Sequence, residues 1–251
     1  MSYQPESGSL SPVRKREKSS GKGGDVTTVP EMTAEEIKKS CIENDGYETP
    51  ELNEKLYLHF RGFKKIQNLD MYTNCKSIWL DSNGLERIEG LEPLIALRCL
   101  FLSKNLLTSI GSGVKSLSNL TVLDLSYNRI ADLDGLGALG SLESLNLARN
   151  ALTDGNSIRN LSCCPNLHTV DLTHNQLAGD NVLAELSKLS TLLTLSLTGN
   201  EVTRVQSFRK KMITMVICFV RIYLYNPHIS TILIYSSSLP CPYVIINKLD
   251  S

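Results

Sequence analysis

Apolar and polar positions fall into one frame that recurs along most of the chain. In residues 75–85 the apolar slots are Cys75, Ile78, Leu80 and Leu85, with Trp79 between the central pair and Asn83 before the last. The same order, L-x-x-L-x-L-x-x-N-x-L, returns in residues 97–107, 120–130, 142–152, 167–177 and 192–202. A degenerate first copy keeps Leu56, Leu58 and Phe63 but carries Arg61 in the asparagine slot. The asparagines 83, 105, 128, 150, 175 and 200 follow one another at 22, 23, 22, 25 and 25 residues. The alternation around each central pair predicts a short strand whose two apolar side chains point inward and whose middle residue points outward. Behind each asparagine, residues such as Ile88, Leu91 and Leu94 predict turns or short helical pieces. The 25-residue copies leave room for a fuller helix, from Asn181 to Leu189.

A frame of this content and period is the leucine-rich repeat, and 35 of the chain's 40 leucines lie between Leu52 and Leu197. The predicted fold is an α/β solenoid of about seven repeats, curved, with short parallel strands on the concave face and turns and short helices on the convex face. Each copy buries its apolar side only against its neighbours, so stability is a nearest-neighbour sum and both ends need caps. The side chains of Asn83, Asn105, Asn128, Asn150, Asn175 and Asn200 carry donors and an acceptor suited to backbone groups where each strand turns away. Stacked copies turn them into a structural ladder.

The ends depart from the frame. Residues 1–30 are polar and basic with almost no large apolar side chains, the composition of a disordered tail; its run Arg14, Lys15, Arg16 reads as a solvated basic tail rather than a localisation signal. Residues 31–52 form an N-terminal cap: Thr33 and Glu36 make a capping box, and a short helix to about Asn44 is expected to lay Ile37, Cys41 and Ile42 over the first repeat. The solenoid occupies residues 53–211. Residues 212–251 are an atypical apolar tail, interrupted by Arg221 and by Asn226, Pro227 and His228, and neither apolar run reaches the roughly 20 continuous residues of a membrane span. Such a tail reads as a truncated, spliced or misread end.

Charge sharpens this division. The chain has 26 basic and 26 acidic side chains, and no basic excess marks it as a nucleic-acid binder. The balance is a sum of unlike parts: residues 1–24 carry net +3, residues 25–201 net −8 and residues 202–251 net +5. Seven cysteines without a C-x-x-C pair, in a chain whose start lacks an apolar signal region, read as reduced thiols of an intracellular protein, several filling the core. No phosphate loop, dinucleotide fingerprint, nucleophile elbow or zinc-protease motif occurs, so no enzyme, cofactor or small-molecule substrate is expected. Cys163, Cys164, His168 and His174 fit no zinc-ligand spacing, because the repeat assigns them to a loop and a strand rim.

Function is then expected on the concave strand face. The outward residue of each strand, read down the stack, gives Tyr57, Trp79, Phe101, Asp124, Asn146, Asp171 and Ser196; the next column runs His59, Asp81, Ser103, Ser126, Ala148, Thr173 and Thr198. Tyr57, Trp79 and Phe101 make an exposed aromatic stripe, about 10 Å long at strand spacing. Asp81, Asp124 and Asp171 with Asn146 would favour a basic or hydrogen-bonding partner segment. Aromatic side chains also favour strands and one another, so stacking alone is the competing explanation of the stripe.

Several of these stretches resemble the leucine-rich-repeat axonemal dynein assembly factor family. They are residues 47–50 (Tyr47, Glu48, Thr49, Pro50), Leu52 with Asn53, and residues 56–63 with their non-consensus first copy. Residues 78–84, 97–102 and 105–107 match as well, and the likeness runs over roughly residues 33–212. The resemblance implies a non-catalytic scaffold in the cytoplasm of ciliated cells that helps to preassemble dynein arms for the cilium or flagellum. Implied partners are axonemal dynein chains, chaperones and other assembly factors. Two departures stand out: Glu201 follows Gly199 and Asn200 where the family has proline, and beyond Thr214 the family's cap and long polar region do not appear. Other readings of the same frame are a phosphatase-regulating subunit, whose 22-residue repeat is similar, and a membrane-tethered receptor anchored by residues 212–246.

Overall fold

A computed structural model describes residues 30–205 and the backbone of two further strands, residues 232–235 and 243–246. The basic tail and most of the apolar tail lie outside the described residues.

Each repeat contributes one three-residue strand: β1 (Lys55–Tyr57), β2 (Ser77–Trp79), β3 (Cys99–Phe101), β4 (Val122–Asp124), β5 (Ser144–Asn146), β6 (Thr169–Asp171) and β7 (Thr194–Ser196). They form one parallel sheet in sequence order. Parallel neighbours need a long crossover, and the rest of each repeat supplies it. The register keeps equivalent residues side by side, so Leu56, Ile78, Leu100, Leu123, Leu145, Val170 and Leu195 share one buried column. Leu58, Leu80, Leu102, Leu125, Leu147, Leu172 and Leu197 form a second, fully buried. The return side is made of turns and short helices, including α2 (Gly155–Ile158) and α3 (Asn181–Leu186). β8 (Ile232–Tyr235) and β9 (Tyr243–Ile246) pair antiparallel in a two-stranded sheet of their own, and β9 lies beside β7. Among the described residues no helix is long and apolar enough to cross a membrane.

α3 stops short of the expected Leu189. Ser187 turns its hydroxyl back onto the carbonyl of Ala184 at 2.8 Å, the kind of local bond that makes serine a poor helix continuer.

Each strand of the parallel sheet leaves it through a left-handed corner. Phe60, Ser82, Lys104, Tyr127, Arg149 and His174 have φ between 53° and 58°, and Gly199 has φ 78°. For a residue with a Cβ this conformation costs about 1–2 kcal/mol, and in copies two to seven the asparagine that follows the corner holds the surrounding backbone in place.

The first corner is followed by Arg61, which has no earlier repeat to bond. Its guanidinium reaches the cap helix α1 (Ala34–Glu43), pairing with Glu36 at 3.1 Å and Glu43 at 3.0 Å. This alters the expected capping box. Thr33 Oγ1 accepts from the Glu36 amide at 3.2 Å, but the Glu36 carboxylate is engaged by Arg61 instead of reaching back to Thr33. Ile37 and Cys41 pack inward as expected, whereas Ile42 is 48% exposed: the helix turns only one narrow face to the repeat. Asn53 is buried and ties the cap loop together, accepting from the Tyr47 amide and donating to the Tyr47 and Thr49 carbonyls, each at 2.9 Å.

Candidate functional site

The strand register places Tyr57, Trp79 and Phe101 in one file on the concave face. In-register strands ~4.8 Å apart hold equivalent side chains at ring-stacking distance. Tyr57 and Trp79 stack with centroids 4.6 Å apart and planes 14° from parallel; Trp79 and Phe101 follow at 5.1 Å and 11°. Each ring covers part of its neighbour, so Trp79 is half-buried and not the fully exposed side chain the sequence suggested. What remains open is a continuous strip of ring edges. His59 stands edge-on to Tyr57 and to Phe60, with centroids at 6.4 and 5.4 Å, and Phe60 is 73% exposed. At its N-terminal end the file borders a cavity of about 490 Å³ lined by Tyr47, Leu52, Asn53 and Tyr57 among others.

Beyond Phe101 the column turns polar, as its residue types require, but these side chains are engaged locally. Asp124 accepts from the Ser126 amide at 2.9 Å, Asn146 from the Ala148 amide at 3.1 Å and Asp171 from the Thr173 amide at 2.9 Å. Asp81 accepts from the Ser103 amide of the next strand at 2.9 Å. These bonds use one side-chain oxygen each to steer the chain off the sheet, the turn chemistry typical of Asp and Asn. Ser126, Ala148 and Ser196 are buried, so the polar half of the face offers less open surface than its alternation implies.

The six repeat asparagines line the corner. Asn150 is typical: Nδ2 donates to the Leu125 and Leu147 carbonyls at 2.9 and 3.0 Å, and Oδ1 accepts from the Ile130 amide at 3.0 Å. Asn105, Asn128, Asn175 and Asn200 repeat this arrangement, each joining its own strand end to the preceding repeat. Asn83 closes the series, accepting from the Arg61 and Phe63 amides at 3.1 Å and donating to the Leu58 and Leu80 carbonyls. A second set, not anticipated from the frame, lies nine residues earlier in three copies: Asn74, Asn119 and Asn166 each donate to a carbonyl of the preceding repeat at 2.9 Å.

The thiols divide sharply. Burial pushes Cys75 up to about 12 and Cys164 up to about 11, and it raises Cys41 as well; Cys163 is exposed. Labelling of the folded protein with iodoacetamide at pH 8, mapped by mass spectrometry, should modify Cys163 before the other thiols of residues 30–205 and reach Cys75 and Cys164 only on unfolding. An unfolded thiol ionises near 9.0, while folded Cys75 keeps its proton to about 12. Its contribution to stability is therefore complete below pH 9 and declines as pH rises toward 12. Cys75→Ala should flatten that alkaline loss in urea titrations; an unchanged slope would exclude this cause. Among the described residues no group of three or more His, Cys, Asp or Glu side chains is placed to hold a metal ion.

Residues 113–225 match the sequence profile of the leucine-rich repeat family. A leucine-rich repeat-containing protein ODA7 from Chlamydomonas reinhardtii is 46% identical over 63 residues, which is 25% of this chain and 15% of that protein. A dynein axonemal assembly factor 1 homolog from Drosophila pseudoobscura pseudoobscura is 46% identical over 61 residues, 24% of this chain and 4% of its own length. The dynein axonemal assembly factor 1 of Peromyscus leucopus is 49% identical over 51 residues, 20% of this chain and 8% of its own. The matched segments are thus a small part of these much longer relatives. Among solved structures, an internalin from Listeria monocytogenes superposes with a TM-score of 0.51 at 21% identity, covering 71% of this chain and 58% of that one. A leucine-rich-repeat protein of Leptospira interrogans gives 0.53 at 23%, covering 65% and 47%. At such identities the two establish the shared fold alone.

Proposed function

We propose that this leucine-rich-repeat solenoid, similar over about a quarter of its length to dynein axonemal assembly factor 1 and ODA7, is a non-catalytic protein-binding scaffold for the cytoplasmic preassembly of axonemal dynein arms. It acts in the cytoplasm of ciliated cells and at the cilium or flagellum, and its partners are axonemal dynein chains, chaperones and other assembly factors. The observation that carries the reading is the stacked file Tyr57, Trp79 and Phe101, whose ring edges form an apolar strip on the concave face. Aromatic side chains held rigid by their neighbours lose little entropy on binding and are enriched among the residues that dominate protein interfaces. Asp81, Asp124, Asn146 and Asp171 lie beside and beyond this strip, each keeping a second carboxylate oxygen or, in Asn146, the amide nitrogen for a partner's polar atoms.

Capture of the tagged full chain from ciliated cells should recover dynein heavy or intermediate chains and chaperones. Trp79→Ala should reduce that recovery by about tenfold, the effect of losing a central aromatic anchor. Trp79→Phe should retain most of it, because it keeps a stacked ring. A full-strength capture by the alanine variant, or a wild-type capture without dynein chains, would sink the proposal.

A further inference from the structure

The left-handed corners carry a second column of side chains beside the concave face, and its middle part is basic. Lys104, Tyr127, Arg149 and His174 occupy successive corners and are exposed, and Arg129 stands exposed two residues after Tyr127. Through the third to sixth copies no acidic residue occupies the corner, the asparagine slot or the position after it. This ridge sits on a repeat body of net charge −8 over residues 25–201. Four other cations of the body, Lys38, Arg61, Lys76 and Lys188, each pair with a glutamate. Among the described residues, Lys104, Arg129 and Arg149 form no ion pair. In the strand column, Asp124 and Asp171 each accept with one oxygen from the backbone amide two residues on, Ser126 and Thr173.

Tyr127 organises the ridge. Its ring lies between the two neighbouring cations, with Lys104 Nζ at 5.8 Å and Arg149 Cζ at 5.1 Å from the centroid. Cation–π contact offsets the repulsion that would otherwise separate the two charges. The Arg149 guanidinium makes no ion pair among the described residues, so its fork of N–H donors can take a bidentate carboxylate. Two strand spacings separate the third and fifth copies, about 10 Å, which an extended peptide spans in about three residues.

We propose that this ridge docks an acidic protein segment, extended along the solenoid axis, with carboxylates one to three residues apart. The net negative charge of the body disfavours such a segment over its acidic surfaces and so favours docking here. A long polyanion such as RNA would overrun the ridge onto that body, which favours a short acidic peptide. The surface is separate from the aromatic file, and its test is independent of the scaffold reading.

Fluorescence anisotropy of a fluorescein-labelled dodecapeptide of alternating glutamate and glycine, titrated with the full chain, tests the proposal. Binding should saturate and weaken with salt. The double variant Lys104→Gln with Arg149→Gln should lose about tenfold in affinity. Tyr127→Leu should lose about threefold. Lys38→Gln with Lys188→Gln, and separately Trp79→Ala, should bind as the wild type does. Absence of wild-type binding, full binding by the Lys104/Arg149 variant, an equal loss in the Lys38/Lys188 control, or tighter binding of a single-stranded oligonucleotide of equal charge would each overturn it.

Discussion

Asn150→Ala should lower the free energy of unfolding by about 2–3 kcal/mol, since two buried carbonyls each lose one of two side-chain donors and one buried amide loses its partner outright. The groups are the carbonyls of Leu125 and Leu147 and the amide of Ile130, and Asn150 is only 8% exposed, so water has little access to replace the side chain. Two of them belong to the preceding repeat, so the substitution weakens an interface as well as a corner. In a stack stabilised by nearest neighbours, loss at one interface reduces cooperativity too. The check is urea denaturation followed by circular dichroism, in which both the midpoint and the steepness should fall. Asn150→Asp should be at least as damaging at neutral pH: a carboxylate can still accept from Ile130 but can only oppose the two carbonyls. An unshifted midpoint for either variant would remove the asparagines from the list of structural determinants.

Gly135→Ala should destabilise the stack by a similar amount, about 3 kcal/mol, for a different reason. Gly135 has φ 97°, a region a residue with a Cβ enters at a cost of about 1–3 kcal/mol. A Cβ there would also lie 1.9 Å from the carbonyl oxygen of Gly111 in the preceding repeat. The obstacle is backbone, not the end of a flexible side chain, so the two return segments would have to separate. Hydrogen exchange should rise locally in residues 109–114 and 133–139, with the remote N-terminal cap unaffected. If exchange rises uniformly, or the melting curve does not move, the tight approach of these loops is not needed for stability.

These two residues show how unevenly the fold was legible. Asn150 stands in a frame that returns every 22 to 25 residues, and its role followed from donor and acceptor chemistry before any contact was known. Gly135 has no such signature: its importance lies in the distance between backbones 24 residues apart. The candidate surface divides in the same way. Alternation placed Tyr57, Trp79 and Phe101 in one column, but their near-parallel stacking depends on three strands adopting a common register. The aspartates follow the same outward alternation, yet their bonds to nearby amides change what they offer a partner. The basic ridge has no local signature in the sequence, because its members lie 22 to 25 residues apart and meet only through stacking.

By itself the sequence determined the repeat, its strands, its inward leucines and its asparagines, because each copy restates the same local pattern of period and polarity. Tertiary structure alone decided what the outward residues became. Arg61 turned to the cap helix, the rings closed on one another, and Tyr127 settled between two cations. Such contacts join residues a full repeat or more apart, and only stacking brings those within a few ångströms.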